Sequence, residues 1–291
     1  MKIVVALLTL VAFGCRDSVG TRVAQEMARV DASLKASERA TLPAEMQEMP
    51  KAYREALEKA RAAQSPELRL YRLRDAAIGA DLLTFFVGHR DAAGKDLAPL
   101  TKLWSERRAA FERPVEPLRG PLLQRALAES SRNRAEKLFR ARLPYAKVSS
   151  PFAGVYYLAE AEGNRHFAEF VESLPGRKRG ASPRADRVEA ALRTLEQETL
   201  AAFGGDPTAP KMIPVSAKLK EAREQLDRGF VDGAALSLVE ARRQFNRGKD
   251  DTLPASLAAL AAEPQPSAPQ VAVKKVLPSS VTVTLVRWPY T

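Results

Sequence analysis

The chain has 291 residues, 46 Lys and Arg against 35 Asp and Glu, a formal net charge of +11 and one cysteine. That length can bury a sizeable core, as one large domain or two small ones. A single cysteine excludes a disulfide framework, so packing must carry stability. The basic balance favours anionic partners such as lipid head groups, cell-wall polymer or acidic proteins.

The N-terminus carries a positive charge at Lys2, then an apolar run from Ile3 to Phe13 broken only by Thr9. Gly14 and Cys15 follow, and then the polar Arg16-Asp17-Ser18. This order reads as a secretory signal peptide over residues 1–14 with cleavage before Cys15. The run is too short to span a bilayer, which takes roughly 20 apolar residues in a helix. Ala12-x-Gly14 also meets the small-x-small rule for ordinary signal cleavage at the same bond, so plain secretion stands as an alternative. The residues Leu10-Val11-Ala12-Phe13-Gly14-Cys15 resemble the lipobox of bacterial lipoproteins. The resemblance implies lipidation at Cys15, a new N-terminus there, and a protein held on a membrane through its lipid. In that class an Asp after the cysteine retains the protein at the inner membrane; Arg16 stands there instead. The implied location is the periplasmic or outer face of a bacterial envelope, leaning to the outer membrane. An exported protein is a poor partner for nucleic acid, and none is predicted.

From Ser18 to Ala262 the helix signals dominate, and residues 15–262 are expected to form one helical domain. Val23, Met27, Val30 and Leu34 fall on one face of a helix over Val19–Ser37. A second helix begins at Pro50, a residue tolerated in the first turn. Ser65-Pro66-Glu67 combines an N-cap, a first-turn proline and a first-turn acid, and starts a third helix running to Val87. Further helices are predicted over Leu97–Glu112, Leu118–Arg142, Phe152–Leu174, Ala185–Phe203, Ser216–Arg228, Asp232–Arg247 and, as a short turn, Pro254–Ala262. Pro144 and Pro151 are expected to bracket a loop. Short connections between successive helices favour antiparallel neighbours in a bundle or solenoid, so the fold class is all-α. Residues 263–270 form a proline-rich linker. Residues 271–291 make a β-prone tail, with Val281–Val286 its clearest strand signal.

Several constellations invite a functional reading. Ala222, Gly229, Ala234, Leu238 and Ala241 partly resemble the small-residue pattern of a tetratricopeptide repeat, although a second copy at the family's period is missing. A plain helical hairpin with a glycine turn accounts for the same residues. Glu162, His166 and Glu169 share one helical face. Position 163 is Gly, which departs from the di-iron pattern, and no HExxH motif occurs, so no metal site is predicted. Arg132 to Arg142 pairs with itself at i,i+4 through Glu136 and reads as a solvated face. Arg177, Lys178 and Arg179 form a less compensated loop suited to phosphate or carboxylate groups. Phe152, Tyr156, Tyr157, Phe167 and Phe170 read as core. In the tail, Val283, Leu285, Trp288 and Tyr290 suit pairing with a partner's sheet edge.

Neither GxSxG nor a phosphate-binding glycine loop is present, and two histidines leave few candidate bases. No cofactor is predicted, and the chain is expected not to be an enzyme. The first functional expectation is a lipid-anchored interaction or scaffold protein of the envelope that meets an envelope protein partner. The alternative is a binding module for an anionic lipid, a cell-wall fragment or another small ligand held in the helical bundle.

Overall fold

The computed structural model describes residues 18–94, 96–112, 118–148, 151–176, 180–204, 212–248 and 252–262. Cys15, the loop Arg177–Arg179, the linker, and the tail with Val283, Leu285, Trp288 and Tyr290 lie outside the described residues. Among the described residues the protein is an all-α helical bundle of ten α-helices.

Local chemistry sets the first helices. Ser18 accepts a hydrogen bond from the Thr21 backbone N–H and opens α1, Val19–Glu38, whose Val23, Val30 and Leu34 are buried. α2, Met49–Arg61, carries Pro50 in its first turn. Ser65 Oγ accepts from Leu68 N–H at 3.1 Å and starts α3, Pro66–Gly88. α4 is Ala98–Phe111, α5 Leu122–Val148, α6 Pro151–Glu172, α7 Ala185–Ala202, α8 Ile213–Asp227, α9 Val231–Phe245 and α10 Leu253–Ala261.

α5 differs from the sequence expectation at both ends. It begins at Leu122 rather than Leu118, because Gly120 takes the left-handed backbone conformation with φ +102°. It also continues through Pro144 to Val148, where a loop was expected. A proline inside a helix forgoes one hydrogen bond and costs about 3 kcal/mol, yet the Ala, Arg, Leu and Lys around it favour helix.

α5 and α6 form the spine. α6 receives α3, with α1 and α2 packed on α3 in turn; α5 receives α9, with α8, α7 and α10 packed on α9. Two wings therefore sit on one hairpin. Each wing meets the spine through a glycine. A Cβ at Gly163 of α6 would stand 2.5 Å from the Ile78 carbonyl oxygen of α3. At Gly233 of α9 it would lie 3.0 Å from the Ser130 backbone nitrogen of α5. Gly163 thus lets α3 and α6 approach backbone to backbone. Gly229, at φ +80°, turns α8 into α9 with Ala222, Ala234 and Ala241 fully buried between them, which is the plain hairpin reading of the repeat-like residues.

The spine's central place also corrects the reading of Arg132–Arg142 as a solvated, self-paired face. Arg132 pairs with Glu172 of α6 rather than with Glu136, and Arg134 reaches Glu160 of α6 at 2.9 Å. Glu136 is shared between Arg140 at 3.4 Å and Arg228 of α8. Charges on a helix flanked by neighbours on several sides find partners on those neighbours.

Arg125, on α5, is buried and has a partner for each nitrogen. Its Nε meets Asp232 Oδ2 at 2.7 Å, Nη1 donates to the Gly120 carbonyl at 2.6 Å, and Nη2 donates to Ser182 Oγ at 3.0 Å. Together with the Gly180 N–H on the Gly120 carbonyl, at 3.2 Å, these bonds tie the residues after the basic loop to the start of α5. One turn further along α5, Glu129 accepts the Gly233 N–H at 2.8 Å and caps α9. Burial pushes the Glu129 carboxyl up to about 7, against the pull of that N–H.

Candidate functional site

α3 does not pack closely on α8 or α9. The gap between the two wings is a charged cleft made of two adjoining cavities of about 440 and 410 Å³. Arg74, Asp75 and Lys218 line both.

In the first cavity the wings are bridged by a buried carboxylate. Glu240 of α9 accepts from Tyr71 Oη at 3.0 Å and Arg74 Nη1 at 2.9 Å, both on α3, and faces Lys218 Nζ of α8 at 2.7 Å. Lys218 also meets Glu221 at 2.9 Å. Burial opposes the charge of Glu240, but Arg74 and Lys218 outweigh it and hold its carboxyl at about 2. Burial likewise works against Arg74 and Lys218, and Glu240 overcomes it, raising both above their ordinary values. Tyr71, buried and beside the carboxylate, is pushed up to about 12 and stays a hydrogen-bond donor. Glu240, Arg74 and Lys218 are ionised across the ordinary pH range, with charges of both signs present together.

The second cavity lies over the spine. Tyr53 of α2, Ser130, Ser131 and Arg134 of α5, and Tyr156, Glu160 and Asn164 of α6 line it. Tyr53 and Tyr156 are both raised, chiefly by burial, so their hydroxyls remain protonated. Arg134 forks onto Glu160 Oε1 through Nε at 3.2 Å and Nη2 at 2.9 Å. Ser131 is 2 % exposed and its Oγ has no hydrogen-bond partner. This arrangement can present donors and acceptors to a polar ligand from two sides at once.

The other sequence candidates fall elsewhere. Glu162 is fully buried on α6 and committed to Arg165 at 2.7 Å, with Arg107 at 3.7 Å. His166 stands 3.7 Å from both Glu162 and Asp81, and Glu169 pairs with Arg165 at 2.5 Å. Among the described residues no group of three His, Cys, Asp or Glu side chains is placed to hold a metal, and no helix is long and apolar enough to cross a membrane. Phe167 is buried; Phe152, Tyr156, Tyr157 and Phe170 pack partly buried against the core. Tyr156 thus serves both the core and the cleft.

Sequence reading missed Tyr71, Arg74, Lys218, Glu240 and Arg125. Two carry a signal in hindsight: Glu240 ends the apolar stretch Ala234-Ala235-Leu236-Ser237-Leu238-Val239, and Arg125 sits inside Leu122-Leu123-Gln124-Arg125-Ala126-Leu127. A charge embedded in an apolar stretch marks a buried partner. The chain matches no known family model, no curated protein and no solved structure.

Proposed function

We propose that this protein is a non-enzymatic binding module of the bacterial envelope, held to the membrane by a lipid on Cys15, whose cleft takes a cell-wall fragment. The observation that carries this reading is the cleft between the wings. Charged groups of both signs, three tyrosines and Asn164 line one polar space. A short glycan bearing a peptide offers matching chemistry: hydroxyls, amides, carboxylates and an ammonium group. A cavity between packed units is a common place for such a ligand.

The test is a calorimetric titration of the protein with a soluble disaccharide–peptide fragment of peptidoglycan. Binding in the micromolar range, about −8 kcal/mol, is expected. Arg134→Gln should weaken it by up to about tenfold, or about 1.4 kcal/mol. The fragment should be recovered unchanged after incubation. No heat of binding at millimolar fragment would end this reading, and turnover of the fragment would end its non-enzymatic part.

The anchor is tested separately. Cys15→Ala should move the protein from the membrane to the soluble fraction, since a single signal-derived apolar run does not span a bilayer. Retention of that variant in the membrane would remove the lipid from the account.

A further inference from the structure

A further opening, of about 460 Å³, lies between α7, α9 and α10. Its volume falls within the range of pockets that hold small ligands, about 300–1,000 Å³. Its walls are mainly apolar, with Ala191 of α7, Leu238 and Val239 of α9, and Leu253 and Leu260 of α10; Asn246, Thr252 and Ser256 add polar groups. Arg187, Arg242 and Arg243 also line it, and no acidic side chain is among the described lining residues. Arg187 is turned toward the end of α10, where it donates to the Ala262 carbonyl and reaches the Ala259 carbonyl at 3.5 Å. Arg242 pairs at the surface with Glu198.

This pattern contrasts with the charged cleft. There cations and carboxylates alternate; here cations rim an apolar trough. The complementary molecule is an alkyl chain that ends in a negative charge. A chain alone would gain burial against the leucines but leave Arg187 on carbonyl oxygens and Arg242 on Glu198, where a ligand carboxylate could compete, and a small anion alone would gain little from the apolar walls.

We infer that the groove between α7, α9 and α10 is a binding site for a single-chain fatty acid, its alkyl chain against Leu238, Leu253 and Leu260 and its carboxylate on Arg187 and Arg242. The inference does not rest on the peptidoglycan reading: the groove shares Arg243 with the first cavity of the cleft, but its other walls and its ligand chemistry differ.

The test is calorimetric titration of the full chain with laurate below its micelle concentration, with 1-dodecanol and acetate as comparison ligands. Laurate is expected to bind at least tenfold more tightly than dodecanol, and acetate not measurably. The Arg187→Gln, Arg242→Gln double variant should abolish the preference for laurate over dodecanol. Ala191→Trp, which fills the trough, should abolish laurate binding with the thermal unfolding midpoint retained. Leu260→Glu, which places a charge against the alkyl chain, offers the same check if the tryptophan variant fails to fold. Equal binding of laurate and dodecanol, or laurate binding untouched by a folded Ala191→Trp or Leu260→Glu variant, would overturn the inference. So would failure of laurate to bind while the protein associates as a dimer that Leu260→Glu dissociates, since the groove would then belong to a second copy.

Discussion

Replacing Glu240 with Ala is expected to lower the free energy of unfolding by about 3–5 kcal/mol, measured by urea denaturation at pH 7. The effect follows from what the substitution leaves behind. Arg74 and Lys218 would stay in a largely buried place without the carboxylate at 2.9 and 2.7 Å that compensates them, and Tyr71 Oη would lose its acceptor. Replacing Arg74, Lys218 and Glu240 together by Met, Met and Leu removes the charges as a set and is expected to cost far less than Glu240→Ala alone. The pH dependence has a definite sign. The Glu240 carboxyl is held at about 2 in the folded protein against an ordinary value of 4.5, so its stabilisation is fully present above pH 4.5 and is lost as pH falls through about 2. The gap between wild type and Glu240→Ala should therefore narrow as the pH is lowered from 4.5 to 2. A gap below about 1 kcal/mol at pH 7 would mean that the two wings are not joined through this carboxylate.

Arg125→Ala is expected to be comparably severe, again about 3–5 kcal/mol by urea denaturation. Asp232 would be left buried without its cation, and the carbonyls of Gly120 and Ala181 and the hydroxyl of Ser182 would each lose a donor. Arg125→Lys keeps the charge but not the planar fork that meets acceptors in several directions, so it should restore only part of the loss. The same variants carry a local signature. Gly180–Ser182 are held to the start of α5 through Arg125 and the Gly120 carbonyl, so amide exchange there should rise in Arg125→Ala by more than the global loss of stability accounts for. Exchange that rises only in step with global unfolding would show that Arg125 stabilises the bundle without positioning that segment.

The helical architecture is legible in the sequence because its causes are local. Ser18, the Ser65-Pro66-Glu67 start signal and Gly229 act within a turn or two of where they sit, and α1, α3 and the α8–α9 hairpin fall where those residues place them. α5 is the counter-example: Pro144 reads as a stop signal, but a proline removes one hydrogen bond and the helix-favouring residues around it carry the helix past. The cleft is the opposite case. Tyr53, Ser131, Glu160 and Lys218 come from four helices, and their convergence depends on how two wings seat on one spine. No spacing in the sequence encodes that. Arg132 illustrates the same limit, since the i,i+4 rule offers Glu136 and tertiary packing supplies Glu172.

The most direct test of the account is amide hydrogen exchange of the protein with and without the soluble peptidoglycan fragment. A ligand seated between the wings should protect both walls together: Tyr71–Leu82 of α3 on one side, and Lys218–Glu221 of α8 with Ser130–Arg134 of α5 on the other. Coordinated protection of these segments, needing up to about tenfold more fragment in Arg134→Gln, is the result this reading predicts. Binding that leaves both walls unprotected, or that protects only residues outside them, would contradict it.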